Sequence, residues 1–243
     1  MSDTTQTLVE IRELGKNYME GVTRHEVVRQ LDLFLRRGEA VALLGKSGSG
    51  KTTLLNLISG IDVPDSGRII IDGTVVSELP ERERTLFRRN HLGFVFQFFN
   101  LIPTLTVIEN LLLPMELLQG RVSAPARERA QTLLERVGLV DRASTYPDRL
   151  SGGEQQRIAV ARAIMHRPKL ILADEPTGNL DEETGRSVMQ LLQEMVQSTQ
   201  ASLLMVTHSR EVAATADRVL RMRDGQLHDV SRQVQSTTGT EQT

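Results

Sequence analysis

The residues Gly45-Lys46-Ser47-Gly48-Ser49-Gly50-Lys51-Thr52-Thr53 combine glycine, lysine and threonine in the spacing G-x-x-x-x-G-K-[ST]. Several backbone N–H groups must converge on phosphate oxygens for such a loop to work. That demands glycines free to take positive φ and to let the chain approach closely, which Gly45, Gly48 and Gly50 supply. Lys51 adds a point charge for the β- and γ-phosphates, the Thr52 hydroxyl is a Mg²⁺ ligand, and the helix opening here turns its positive end to the same anion. The chemistry implied is binding of a nucleoside triphosphate.

A second group of residues complements the first. Leu170-Ile171-Leu172-Ala173-Asp174-Glu175 sets two carboxylates at the C-terminal end of an apolar strand, the edge where open α/β sheets bind ligands. There Asp174 suits Mg²⁺, through water, and Glu175 is placed to polarise the water that attacks a γ-phosphate. The run Leu150-Ser151-Gly152-Gly153-Glu154-Gln155-Gln156-Arg157 contains an S-x-x-E capping box ahead of the helical pattern Ile158, Ala161, Arg162 and Met165. A cap alone needs no pair of glycines, and bare backbone at a helix start makes a second anion site. The spacing leaves open whose phosphate it receives.

The elements that must carry these groups follow from periodicity. Apolar runs at 8–11, 40–44, 68–71, 93–96, 170–173, 203–206 and 218–222 alternate with helical patterns, which defines an α/β fold. The runs from Leu170 and Leu203 lack polar alternation and read as central parallel strands; Asp72-Gly73 and Asp224-Gly225 mark tight turns between antiparallel segments. Leu54, Leu57, Ile58 and Ile61 share one face of the helix after the phosphate loop. From 98 to 166 the pattern is helical, and the face formed by Ala126, Ala130, Leu133, Leu134 and Val137 stops at Gly138, a glycine C-cap. The expected architecture is a P-loop NTPase (RecA-like) core, about 1–97 and 167–230, with an antiparallel β subdomain and an inserted α-helical lobe, about 98–166. From 231 to 243 the chain is polar and without period, and is expected to be disordered.

Composition narrows the class. The 243 residues, with 29 Lys+Arg against 31 Asp+Glu and a formal charge of −2, give no electrostatic footprint for nucleic acid or anionic lipid. With no cysteine and a polar, acidic N-terminus, neither disulfides nor a secretory signal are indicated, and a cytoplasmic location is expected. No apolar run approaches the roughly 20 residues that span a bilayer, so any membrane crossing is left to another chain.

Taken together, the phosphate loop, Gln97 after a strand, the LSGGEQQ run, LILADE, Asn179-Leu180-Asp181 and His208 after the last core strand resemble the ATP-binding subunit of an ABC transporter over residues 8–229. That resemblance implies a head-to-tail dimer of two ATPase subunits with each ATP between the phosphate loop of one and Ser151, Gly152, Gly153 and Glu154 of the other. It further implies that Tyr18 stacks on adenine, Gln97 senses Mg²⁺ and γ-phosphate and links to a permease, Asp181 reaches across the dimer, and His208 contacts the γ-phosphate. The stretches 93–110 and 173–181 are similar to the lipoprotein-releasing and macrolide-export group, the LolD and MacB type. In that group the ATPase sits on the cytoplasmic face of the inner membrane and drives a permease with few spans and a large extracytoplasmic domain by mechanical transmission. Ser209 stands where the group usually has Asp, and Lys46 where Pro or Glu is common. An importer ATPase shares the core motifs, but the GNLD segment and the stretch after Gln97 argue against it. A soluble ABC protein of translation or DNA repair usually carries two cassettes, a coiled-coil insertion or zinc-binding cysteines, none of which this sequence shows.

Overall fold

The computed structural model describes residues 7–21 and 23–238. The elements run β1 (Thr7–Glu20), β2 (Thr23–Arg36), β3 (Ala40–Leu44), α1 (Lys51–Ile58), β4 (Ser66–Ile71), β5 (Thr74–Val75) and α2 (Glu81–His91). Next come β6 (Leu92–Phe96), α3 (Val107–Gln119), α4 (Ala124–Arg136), α5 (Gly152–Ile164), β7 (Leu170–Asp174) and α6 (Glu182–Thr199). Then follow β8 (Ser202–Thr207), α7 (Arg210–Ala214), β9 (Arg218–Arg223), β10 (Gln226–Asp229) and α8 (Ser231–Thr238). They group into two compact units, one from residues up to Arg88 together with those from Ser202 onward, the other Arg89–Ala201.

The first unit contains an antiparallel sheet in the order β2-β1-β4-β5 and a parallel set in which β3 lies between β8 and β9. Both predicted turns are hairpins. Asp72 and Gly73, and Asp224 and Gly225, all take positive φ, as the two central positions of a type I′ turn require. Burial of β3 and β8 along almost their whole length explains why neither alternates. Strand β2 escapes sequence reading because its inward set of Val28, Leu31, Leu33 and Leu35 breaks period at Gln30, whose φ is 40°.

Two expectations are corrected here. Helix α1 stops at Ile58, with Ser59 at its C-cap and Gly60 in the left-handed region, so Leu54, Leu57 and Ile58 are buried while Ile61 is 55% exposed. Residues 231–238, expected as a disordered tail, form α8. Val230 and Val234 are buried, and the Ser231 hydroxyl accepts the Val219 N–H at 2.9 Å, which ties the helix to β9 without an apolar period. The remainder of that tail, 239–243, lies outside the described residues.

In the second unit β6 and β7 pair in parallel, Leu92 opposite Leu170 through Phe96 opposite Asp174. The segment between them is helical, as expected. α4 buries Ala126, Ala130, Leu133 and Leu134 and ends before Gly138 at φ 69°. At Gly93 a Cβ would strike the Ala163 carbonyl, so glycine is what lets α5 lie against β6.

Candidate functional site

Strand β3 delivers the chain into the loop 45–50, and α1 begins at Lys51. Gly48 and Gly50 adopt φ of 75° and 99°, a region that L side chains avoid. Gly45 serves by closeness instead: a Cβ there would lie 2.5 Å from Ser49 Oγ and 3.0 Å from the Met222 carbonyl. Lys51 is buried, and its ammonium donates to the Gly45 and Lys46 carbonyls, each at 2.8 Å, so the charge is folded back across the loop. Lys46, Ser47, Gly48 and Thr52 are exposed; Thr53 is half-buried.

Against this loop lies a cleft of about 1280 Å³, whose walls include His208, Val27, Arg221 and Met222. His208 follows β8 directly. Ser209 after it caps α7, its hydroxyl accepting the Val212 N–H at 3.2 Å, so serine performs the capping that aspartate would. Tyr18, near the end of β1, is 41% exposed and donates its hydroxyl to Asp62 at 2.6 Å. Burial raises the phenol's pKa, and the hydrogen bond to Asp62 adds to the rise.

The second unit gathers the remaining predicted residues. Gln97 follows β6 and exchanges hydrogen bonds with Asn179: its amide donates to the Asn179 side-chain oxygen at 3.1 Å and its carbonyl accepts from Asn179 at 2.9 Å. Gly178 makes room for this pair, since a Cβ would come within 2.8 Å of the Gln97 amide nitrogen. Asp174 ends β7. Glu175 is half-buried with φ 47°, a left-handed conformation a glutamate adopts only under constraint. Asp181 accepts the Thr184 N–H at 2.9 Å and so caps α6.

The capping box of α5 is present as the spacing predicts: the Ser151 N–H donates to the Glu154 carboxylate at 2.7 Å and the Glu154 N–H to the Ser151 hydroxyl at 3.3 Å. The Ser151 N–H, and after it the Ser151 hydroxyl, hold the Glu154 carboxyl below its ordinary range. Gly153 is also required inside the unit, because a Cβ would sit 2.5 Å from the Thr184 methyl. Gly152 is less confined, its nearest neighbours Leu180 and Phe99 standing at 3.4 and 3.6 Å from such a Cβ.

Three further residues lie inside the quoted motifs and helical patterns, but their supporting roles follow only from the structure. Gln156, fully buried on α5, donates from one amide nitrogen to the carbonyls of Phe96 and Pro176, the residues flanking Gln97 and Glu175 in sequence. Arg162, one helix turn and a half further on, donates to the carbonyls of Phe99 at 2.9 Å and Asn100 at 2.6 Å; burial pushes its guanidinium down to about 10. Asn110 is fully buried and bonds Ile102, Leu105 and Thr106, fixing the rest of that loop. A polar residue on the buried face of a helix is the one sequence signal that marks Gln156 and Asn110.

The loop 45–50 fits a phosphate-bearing ligand on its own features. Cβ atoms at Gly45 and Gly50 would strike Ser49, Met222 and Val27, so these positions stay bare, and the buried Ser49 hydroxyl has no hydrogen-bond partner among the described residues. Fold and site together define a nucleotide-binding cassette. The ABC transporter family model matches residues 28–178, and the chain belongs to that family as its ATP-binding, ATP-hydrolysing subunit. It is 51% identical over 222 residues, 91% of this chain and 89% of the relative, to an uncharacterized ABC transporter ATP-binding protein of Mycobacterium tuberculosis strain H37Rv. It is 46% identical to the lipoprotein-releasing system ATP-binding protein LolD of Pseudomonas syringae pv. tomato, over 93% of this chain and 99% of that one. Among solved structures, the ATP-binding cassette MJ0796, a dimer in a post-hydrolysis state bound to ADP and Pi, is similar with a TM-score of 0.83 and 39% identity, covering 91% of this chain and 97% of that chain.

Proposed function

We propose that this subunit powers a separate permease of the few-span, large-extracytoplasmic-domain type, working as a pair of cassettes on the cytoplasmic face of the inner membrane. The single observation that carries the reading is its 46% identity to LolD over nearly the whole of both chains. Among the described residues no helix is long and apolar enough to cross a membrane, which accords with docking on another chain. The cassette is read as residues 1–230, with a core of about 1–97 and 167–230 and a helical lobe of about 98–166.

In this reading the loop 45–50 and Lys51 hold the β- and γ-phosphates, His208 contacts the γ-phosphate, and Tyr18 receives the adenine. Mg²⁺, held by Thr52, Gln97 and, through water, Asp174, would offset charge on the phosphate oxygens. Glu175 orients and polarises the attacking water, accepting its proton. Ser151, Gly152, Gly153 and Glu154 face the nucleotide of the paired subunit, and Asp181 meets that subunit as well. The exposure of Ser151 and Asp181 supports both assignments.

The test is to tag the Glu175→Gln variant, solubilise membranes with ATP and Mg²⁺, and identify what copurifies by mass spectrometry. A permease with about four spans and a large extracytoplasmic domain is the expected partner. A many-span permease would replace this reading with conventional import or export, and a purely soluble partner set would remove it.

A further inference from the structure

Tyr18 does not stand alone at the end of β1. The carboxylate of Asp62, in the loop after α1, is saturated from three sides. Its Oδ2 accepts the Tyr18 hydroxyl at 2.6 Å, while Oδ1 accepts the Lys16 ammonium at 2.8 Å and the Val63 N–H at 2.7 Å. Lys16 is itself buried, donates also to the Val63 carbonyl at 2.7 Å, and lies 5.2 Å from the centroid of the Tyr18 ring. The neighbouring residues of β1 are anchored to the same loop: Asp65 accepts the Asn17 N–H at 2.7 Å and its side-chain amide at 3.0 Å, and the Asp65 N–H donates to Gly15 at 2.9 Å.

A phenol at the end of a strand ordinarily swings about χ1 and χ2, and a stacking surface loses affinity for every setting it must give up on binding. Here a short charge-assisted bond fixes the hydroxyl end, with the Lys16 ammonium over the ring, while Tyr18 remains 41% exposed, so the side chain is oriented without being buried. We propose that Asp62, braced by Lys16, is the positioning residue that presets the Tyr18 ring as a platform for the base of a bound nucleoside triphosphate. This rests on the reading of Tyr18 as the base-stacking residue. Asp62 does not touch the ligand; it acts through the tyrosine hydroxyl.

The experiment is calorimetric titration of the full chain with ATP and, separately, with inorganic tripolyphosphate, both with Mg²⁺. The variants are Asp62→Ala, Tyr18→Phe, the double variant and Tyr18→Ala. Tyr18→Phe keeps the ring and removes only the hydroxyl, with its bonds to Asp62 and to Thr53, while leaving Asp62 in place. Asp62→Ala and Tyr18→Phe are each expected to weaken ATP about three- to tenfold, with the double variant no worse than the weaker single. Tyr18→Ala is expected to weaken ATP by tenfold or about that. Tripolyphosphate has no base, and its affinity is expected to stay the same throughout. If Tyr18→Ala weakens ATP while Tyr18→Phe does not, the proposal is overturned and the stacking reading survives. Unchanged ATP affinity in Tyr18→Ala would overturn the stacking reading itself. Equal loss for ATP and tripolyphosphate in Asp62→Ala would make Asp62 a support of the loop rather than of the ring.

Discussion

In the unit that carries the phosphate loop, the backbone shapes the site: Gly48 and Gly50 sit where side chains are strained, and Gly45 yields space to Ser49 and Met222. In the unit that carries the signature run, side chains do the shaping. Gln156 and Arg162 on α5 reach the carbonyls of Phe96, Pro176, Phe99 and Asn100, and Gln97 and Asn179 hold each other. The contrast follows from what each site handles. A cradle for phosphate is built from N–H groups and needs bare backbone, whereas the water-orienting role proposed for Glu175 needs its peptide held at one angle.

The contrast can be broken or sharpened by mutation. Glu175→Gln is expected to slow turnover by about 10² to 10⁴, or roughly 3 to 5 kcal/mol, with ATP affinity kept, whereas Lys51→Ala loses affinity. Steady-state hydrolysis beside equilibrium binding checks both, and near-normal turnover in Glu175→Gln would take that residue out of its role. Gln156→Met keeps the volume but takes the buried amide donor from the Pro176 carbonyl and one of two donors from the Phe96 carbonyl, and urea unfolding should show a loss of about 1–3 kcal/mol. A loss within about 0.5 kcal/mol would mean that the amide is not what holds these segments. Ser151→Ala removes a cap and should cost about 1 kcal/mol in the same assay. The smallest effect concerns Glu154. Its carboxyl is depressed in the folded state, so its stabilisation is full above the ordinary glutamate value and is lost as pH falls through the folded one. The thermal advantage of the wild type over Glu154→Gln should therefore be constant near neutrality and shrink below about pH 4. A gap that widens on acidification would contradict that sign.

This same contrast sets what was legible in the sequence. Glycines at fixed spacing, the Asp-Gly turns and the S-x-x-E cap are local signals, and all three predict the observed backbone. Gln156, Arg162 and Asp62 act on residues far along the chain, and nothing in their own neighbourhoods declares the partner. The helix α8 was illegible for a related reason. Two buried valines and one serine contact suffice when an existing strand supplies the surface, although they make no pattern on their own. Strand β2 was hidden by a single left-handed residue, Gln30, which shifts the inward face halfway along.

The tethered ring of Tyr18 also bears on how the molecule can be observed. The chain has no tryptophan and two tyrosines, so its near-ultraviolet spectrum is dominated by very few chromophores. A phenol hydrogen-bonded to a carboxylate and held in one orientation gives an asymmetric dichroic band that a freely turning one does not. The protein thus carries an intrinsic optical reporter at the end of β1, readable without any label, and Tyr18→Phe removes that reporter's contribution while leaving that of Tyr146.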